Sequence, residues 1–246
     1  NGSGDSTVFA DGLSAVSVSL ISIAGTVAAS NGESTISLGD ADTPVSVTAD
    51  TLVGGTATGA IGLGDATLAD GVTLTVGTGI GNQIDLDAVT GTAAGAVSDL
   101  TINTTGVVTV AEAVGTDIGT VTITQSGGTA FLDALSADTL TITDTMDGTT
   151  VAVDGDLTVD TSMTVAANGA YNVSFTGGTN TVPGTTFANT GNVTIGDGSG
   201  DSTTFSDGVS AASPASVVIA GTIRATNGAS TISLGDGHRL HLDGVL

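Results

Sequence analysis

The chain has 246 residues, 25 acidic side chains and two arginines, a formal net charge of −23, and no cysteine, tryptophan or lysine. This balance argues against nucleic acid and anionic lipid as partners, because no basic patch exists to replace the counterions of phosphates. Helix formers are scarce and β-branched residues abundant, and a mean hydropathy of +0.40 argues against disorder, so an all-β fold is predicted. No apolar run reaches the roughly 18 residues of a membrane-spanning helix, and no membrane insertion is expected.

The first element along the chain is a long repeat unit, residues 2–40, which returns as residues 198–236. The offset is 196 throughout, without a gap, and 26 of the 39 positions are identical. Self-similarity of this kind is typical of repeat arrays. The sequence therefore predicts one elongated repeat region, 1–246, with similar structures at its two ends. The opening Asn1-Gly2-Ser3-Gly4 shows no signal peptide, as expected of a mature product or of an excerpt from a longer array.

Short alternating segments follow between the two copies, each with aliphatic side chains on one face and Thr, Ser or Asp on the other. In chain order they are Val45–Val47, Val72–Val76, Ile84–Asp87, Leu100–Ile102, Val121–Ile123, Leu140–Ile142, Leu157–Val159, Val173–Phe175 and Val193–Ile195. Gly-Asp, Asp-Gly, Asn-Gly and Gly-Gly pairs between them supply turns that need positive φ. Each segment is predicted to be a half-buried strand.

The spacing of these segments suggests a coil. The best-matched positions are Ile102, Ile123, Ile142, Val159, Phe175 and Ile195, which follow one another at intervals of 21, 19, 17, 16 and 20 residues. A repeat of roughly 16–21 residues suits one turn of a parallel β-solenoid, whose narrow interior has room only for small side chains. The alternative is a row of tandem antiparallel β-sandwich modules. The remaining irregularity of the spacing and the lack of a large core aromatic favour the solenoid.

A resemblance to known families is clearest in two stretches, Gly177–Val182 and Asn192–Asp197. With these, the chain resembles the Thr/Gly/Ala/Asp-rich passenger regions of bacterial secreted β-solenoid proteins of the filamentous-adhesin and autotransporter type. Its composition is also similar to that of calcium-dependent bacterial S-layer proteins. The resemblance includes no diagnostic motif, so no residue role is carried over. It implies adhesion, a surface coat or a fibre.

Calcium is the cofactor that the charge favours, because crowded carboxylates repel one another until cations neutralise them. The candidate ligands are Asp197, Asp201 and Asp207, with Asp5 and Asp11 at matching places in the first copy. These residues lie in Gly-rich turns, where flexible loops present oxygen atoms. Neither the GGxGxD nonapeptide nor the EF-hand spacing is present, and Asp-Gly pairs also serve simply as turns.

Further acidic groups could serve the same purpose. They are Asp40 with Asp42, Asp85 with Asp87, and Asp154 and Asp156 with Asp160. In the tail, His238 and His241 with Asp236 or Asp243 form a loose zinc candidate, although surface histidines explain them better.

Catalysis has little support, and no enzyme is predicted. No G-x-S-x-G elbow is present, and a polysaccharide-cleaving solenoid would need aromatic and basic residues that this chain lacks. Isopeptide cross-links need lysine, which is absent. Sequons at Asn1, Asn103, Asn172 and Asn192 permit glycans.

The sequence thus predicts an extracellular, cell-surface structural protein that assembles with itself, by end-to-end or lateral strand pairing, into a filament or coat. The alternatives are a monomeric adhesin stalk and, behind it, a polysaccharide-acting enzyme on a β-helix.

Overall fold

The computed structural model describes residues 2, 4–40, 42–93, 95–235 and 239–243. These residues form a β-solenoid of about 10 turns, with parallel strands stacked from one turn to the next. The solenoid prediction is confirmed, and the alternative of antiparallel sandwich modules is wrong, because neighbouring strands in all three sheets run in parallel. The described residues form no helix, and hence none that is long and apolar enough to cross a membrane.

The first fourteen strands are β1 Ser6–Phe9, β2 Leu13–Ala15, β3 Ile21–Ala29, β4 Ile36–Leu38, β5 Val45–Gly55, β6 Ile61–Leu63, β7 Ala66–Leu68, β8 Thr73–Val76, β9 Ile84–Leu86, β10 Val89–Gly91, β11 Ser98–Asn103, β12 Val108–Val110, β13 Val114–Gly115 and β14 Ile118–Gln125. The other fourteen are β15 Thr129–Phe131, β16 Leu135–Ile142, β17 Thr150–Val153, β18 Leu157–Val165, β19 Asn172–Phe175, β20 Thr179–Val182, β21 Thr185–Thr186, β22 Asn192–Ile195, β23 Ser202–Phe205, β24 Val209–Ala211, β25 Ser216–Ala220, β26 Thr222–Ala225, β27 Ile232–Leu234 and β28 Arg239–Asp243.

Each turn contributes three short strand segments, and these form three stacks along the solenoid. Face A consists of segments 6–9, 26–29, 51–55, 73–76, 99–103, 120–125, 139–142, 162–165, 185–187, 209–211 and 232–234. Face B consists of segments 13–15, 36–38, 61–63, 84–86, 108–110, 129–131, 151–153, 173–175, 193–195, 217–219 and 240–242. Face C consists of segments 21–23, 45–47, 66–68, 89–91, 114–115, 135–137, 157–159, 180–181, 203–205 and 223–225.

The core is a set of ladders in which inward side chains of one turn rest on those of the next. On face B, the ladder runs through Leu38, Leu63, Leu86, Val110 and Phe131, all at most 3% exposed. Outward positions between them carry Ser, Gly, Asp, Thr and Ala. The alternation predicted from the sequence is therefore the alternation between core and solvent, and all nine predicted strands are present.

The length of a turn differs from the prediction. Ile123 stacks directly on Ile142, whereas Val76 stacks on Ile102, which is a clearly longer turn. The predicted coil length is wrong for the two steps from Ile142 to Val159 and from Val159 to Phe175, because these three residues lie on faces A, C and B. The last step is a full turn, since Phe175 stacks on Ile195. The short spacings measured the distance from one face to another, not the length of a turn.

Buried polar side chains occupy the corner between faces A and B. Thr104 Oγ1 donates to the Ile80 carbonyl at 2.7 Å, and one turn later Ser126 Oγ and Thr145 Oγ1 lie 3.0 Å apart. The Tyr171 hydroxyl donates to the carbonyl of Ala166 at 2.7 Å. These bonds give the buried hydroxyl groups hydrogen-bond partners within the corner.

The two copies of the repeat fold alike but lie on different faces. The backbone N–H of Thr26 donates to Asp5 O at 2.7 Å, and that of Thr222 to Asp201 O at 2.8 Å. Gly25 and Gly221 have φ of 70° and 80° at this contact, where a side chain would overlap the Asp carbonyl. Local sequence thus determines local structure in both copies.

Their placement on the solenoid follows from the strand pairing. β1 begins face A, whereas its counterpart β23 belongs to face C. Eight steps along face A lead from β1 to Phe187, and one segment each of faces B and C then follows. The second copy therefore begins eight and two-thirds turns after the first.

Candidate functional site

The first calcium candidate is the tight turn 197–201 between β22 and β23. Asp201 Oδ2 accepts hydrogen bonds from the backbone N–H groups of Asp197, at 2.7 Å, and Gly198, at 2.8 Å. The bond from Asp197 is the main reason that the pKa of Asp201 lies below its ordinary value. In the first copy, the N–H of Gly2 donates to Asp5 Oδ2 at 2.9 Å. Both carboxylates therefore close a turn.

The other two candidates join one turn of the solenoid to the next. The Asn31 side-chain amide donates to Asp11 Oδ1 at 3.2 Å, and Asn227 makes the equivalent bond to Asp207 Oδ1. The bond from Asn227, followed by one from Ser206, holds the pKa of Asp207 below its ordinary value. Asp207 and Asp11 thus have a structural role that both copies share.

The five calcium candidates do not form one cluster. Asp197 and Asp201 share a turn and Asp207 follows the next strand, whereas Asp5 and Asp11 lie at the opposite end of the solenoid. Within the described ranges, no three His, Cys, Asp or Glu side chains come together as a set that could hold a metal ion. Calcium binding here stays a prediction, and it would require backbone, water or neighbouring-chain oxygens to complete the ligand shell.

Acidic residues form a line along the corner between faces B and C, which we call the acidic corner. In six successive turns the segment after the face B strand carries one of Asp40, Asp65, Asp87, Glu112, Asp133 and Asp154. Burial, followed by the charges of Asp65, Asp40 and Asp85, raises the pKa of Asp87. The acids of neighbouring turns therefore repel one another, as the sequence led us to expect.

The remaining acidic candidates also bond locally. Asp40 Oδ1 accepts the N–H of Asp42 at 3.1 Å, and Asp156 Oδ1 accepts the N–H of Thr179 in the next turn at 2.8 Å. Asp160 is exposed in β18. Except for Asp160, which lies between faces C and A, these candidates lie on or beside the acidic corner. Among the described residues they form no set of three that could hold a metal ion.

The zinc candidate lies mainly beyond the part of the chain that the structure describes. His241 is exposed in β28, and Asp243 ends the same strand. Asp236 and His238 lie outside the described residues. Zinc binding at the tail therefore stays a prediction as well.

Three sequons lie on the solenoid, and their side chains already have partners. Asn192 is exposed and its Oδ1 accepts Ser216 Oγ at 2.7 Å, whereas Asn172 is half-buried and its Nδ2 donates to the Gly148 carbonyl at 3.1 Å. Asn103 is also half-buried, and its Oδ1 accepts Gln125 Nε2 at 3.1 Å, whereas Asn1 lies outside the described residues. Of the sequon side chains that the structure describes, that of Asn192 is the most accessible to a glycan.

A cavity opens at the end of the solenoid that the first copy forms. It has a volume of about 290 Å³ and is lined mainly by inward side chains of β1, β2 and β3, among them Thr7, Phe9, Leu13, Ala15 and Ile21. Among the described strands, β1 pairs only with β3, and β2 only with β4. The edges that face away from the body are therefore unpaired within that part of the chain. We call this surface the open end.

The corresponding residues of the second copy are covered. Thr203, Phe205 and Ala211 match Thr7, Phe9 and Ala15, and all three are at most 1% exposed. The preceding turn covers them, because β20 pairs with β23, β21 with β24, and β22 with β25. Within the described residues, a preceding turn thus covers these positions in the second copy and not in the first.

Sequence reasoning predicted strand pairing through the ends of the chain, but it did not predict this cavity. The sequence feature that points to this cavity is the internal repeat, since Phe9 and Phe205 are identical residues with similar neighbouring sequences. Their difference depends on what precedes each copy, which a comparison of the two copies alone does not show.

Comparisons of the chain with protein-family models, with curated proteins and with solved structures found no match. Function is therefore inferred from the chain's own residues.

Proposed function

We propose that this protein is a structural element of an extracellular filament or cell-surface coat, and that it works by assembling with itself through the ends of its solenoid. The observation that carries the proposal is a stack of parallel strands about 10 turns long, in which one repeat returns after 196 residues. Any such stack ends in strand edges that can pair with further strands. Most monomeric β proteins block such edges with charge, proline or a covering segment. A protein that polymerises can use them for strand pairing between molecules.

Several other features support a structural role. The cavity at the end of the stack is lined mainly by apolar side chains, whereas an active site needs convergent polar groups. A parallel stack of about 10 turns, at about 4.8 Å per turn, gives a body roughly 48 Å long. Filamentous-adhesin, autotransporter and S-layer proteins, which the sequence resembles, have such roles.

Calcium enters the proposal through the acidic corner. With a net charge of −23, two such molecules repel each other, and divalent cations would reduce the repulsion along the corner and between neighbouring bodies. The sites need not be complete within one chain, because carboxylates of two molecules can share an ion. The proposed cofactor is therefore an ion that stabilises the assembly.

Electron microscopy of the purified protein, with millimolar calcium and with a chelator, tests the proposal. Fibres or sheets that form with calcium and disperse with the chelator are the expected result. Separate rods under both conditions, at high protein concentration, would refute self-assembly and favour the adhesin stalk.

A further inference from the structure

We infer that face A binds ice, the crystalline form of water, through a grid of hydroxyl-bearing side chains on its outer surface. The inference goes beyond the proposed self-assembly and does not depend on it. The grid lies on strands β8, β11, β14, β16 and β18, which belong to five successive turns in the middle of the solenoid. We call these side chains the threonine grid. Its first rank is Thr75, Thr101, Thr122, Thr141 and Thr164, and its second rank is Thr73, Asp99, Thr120, Thr139 and Ser162.

The grid is regular because strand pairing keeps its register. Each member of a rank is paired with the next member through all five turns, and the irregularities of pairing in these strands lie outside the grid. Neighbouring turns are about 4.8 Å apart and alternate residues of one strand about 6.6 Å apart, so the side chains repeat in two nearly perpendicular directions at about these spacings. The prism face of hexagonal ice repeats its oxygen atoms in two perpendicular directions, each spacing within roughly a tenth of the corresponding spacing of the grid.

The hydroxyl groups of the grid are available to a ligand. Within the described part of the chain, none of them hydrogen-bonds to another residue, although threonine hydroxyls at the corners do. Thr78 Oγ1 donates to the Gly55 carbonyl at 2.7 Å, and Thr104 Oγ1 donates to the Ile80 carbonyl at 2.7 Å. A hydroxyl group without an internal partner takes its partners from outside the chain, and each can donate one bond and accept two. The grid thus offers the same bonds to water at every turn.

The side chains of the grid are held in place before a ligand arrives. The residues between the two ranks point into the core, and Leu74, Leu100, Val121 and Leu140 are 0% exposed. Threonine is branched at Cβ, which restricts rotation of its side chain about χ1. Binding therefore orders few side chains, and little of the binding energy is lost to side-chain entropy.

Strand propensity alone does not explain the grid. Threonine favours strands in general, but this preference applies equally to each face of the solenoid. In the same five turns, the outward positions of face B are Asp85, Thr109, Ala130, Ala152 and Ser174. Face C has a single rank there, and Gly115 interrupts it. Two ranks in register are a property of face A.

The distribution of charge also favours ice as the ligand. Asp99 is the one charged member of the grid, and its Oδ1 accepts the backbone N–H of Thr120 at 2.8 Å. The neighbouring acids Asp117, Asp138 and Asp160 lie beside the second rank, at the corner between faces C and A. Charged side chains bind liquid water strongly, so the rest of this molecule, with its net charge of −23, stays in solution while face A rests on the crystal. Crystalline polysaccharide fits less well, because sugar rings stack on aromatic side chains and the grid has none.

Thermal hysteresis of the full-length protein tests the inference. The parent chain should hold ice crystals at constant size below their melting point and should become enriched in slowly growing ice. T122Y places a ring at the centre of the grid and should abolish both effects. T109Y makes the same change on face B, in β12, and should leave both unchanged. Equal melting temperatures of the three proteins show that each is folded, as expected for substitutions on the outer surface.

A gain of activity provides the second measurement. D99T completes the second rank and should increase the hysteresis, which a folding defect cannot do. No hysteresis and no enrichment of the parent chain in ice would overturn the inference. Equal losses in T122Y and T109Y, or no increase in D99T, would show that the grid is not the site. Retention on crystalline cellulose or chitin without an effect on ice would overturn it in favour of a polysaccharide.

Discussion

Phe9 and Phe205 offer a controlled test of the structure, because the same residue in the same repeat lies in two environments. Phe205 is 0% exposed and contacts the Phe187 ring, whereas Phe9 is half-buried at the open end. Replacing a fully buried Phe by Ala costs about 3–5 kcal/mol, which includes the energy of the cavity that remains. For Phe9, part of the transfer energy is already lost to solvent, and we expect about 1–2 kcal/mol.

The assay must be local, because each turn of a solenoid contacts only its neighbours and a weakened end frays before the body unfolds. We therefore expect F205A to reduce hydrogen-exchange protection of β23–β27 by about a hundredfold to a few thousandfold. F9A should reduce protection of β1–β3 by about five- to thirtyfold. Exchange measured by mass spectrometry on the two variants and the parent chain gives both numbers. Equal losses at the two ends would refute the assignment of Phe9 to an open turn.

Three further predictions use other features of the solenoid. A methyl group added at Gly177 would overlap the carbonyl oxygen of Gly155, whereas one added at Gly178 would make only ordinary contact. We therefore expect G177A to lower the melting temperature by several degrees and G178A to leave it unchanged. Similar melting curves for the two variants would contradict the close stacking of these turns. Because the pKa of Asp87 is raised in the folded state, the ionised carboxylate destabilises the fold. D87N should therefore increase the free energy of unfolding at pH 7 but not at pH 3, where the carboxyl is protonated in both the folded and the unfolded state. The same increase at both pH values would exclude the charge of Asp87 as its cause. Burial raises the pKa of Tyr171, the single tyrosine, to about 12. A pH titration followed by near-ultraviolet absorbance should therefore have its midpoint near pH 12. A midpoint near pH 10 in the folded protein would show that the ring is solvated.

The fold class was predictable from the sequence because strand patterning is local. Segment Val72–Val76 alternates apolar and polar residues, and it forms β8 with the apolar residues inside. Shorter strands had too little pattern: β6 is Ile-Gly-Leu and β13 is Val-Gly, and neither alternates long enough to stand out. The prediction therefore recovered less than half of the strands although it recovered the architecture.

The alignment of the turns was not predictable in the same way. Three apolar runs per turn are chemically interchangeable, and the turns are unequal in length, as the stacking of Ile123 on Ile142 and of Val76 on Ile102 shows. A spacing such as that from Ile142 to Val159 can therefore join two faces of one coil, although it has nearly the length of a turn. The roles of Asp201 and Asp207 were also ambiguous, since a carboxylate that closes a turn and one that binds calcium occur in the same Gly-rich sequences.

The two copies of the repeat show what a sequence period means in a solenoid with unequal turns. Residues one period apart have the same local structure, because the turn at Gly25 and the matching turn at Gly221 depend on contacts within each copy. Matching strands lie on different faces of the solenoid, however, because eight and two-thirds turns separate β1 from β23. Strand edges are nevertheless compatible across faces, since the backbone of a parallel strand offers the same donors and acceptors on each face. The inward side chains determine the fit, and the two copies share only some of them. Thr7 matches Thr203 and Phe9 matches Phe205, whereas Leu13 is replaced by Val209 and Ile21 by Val217. A repeat in a solenoid with unequal turns can therefore keep its local structure while its position around the axis changes.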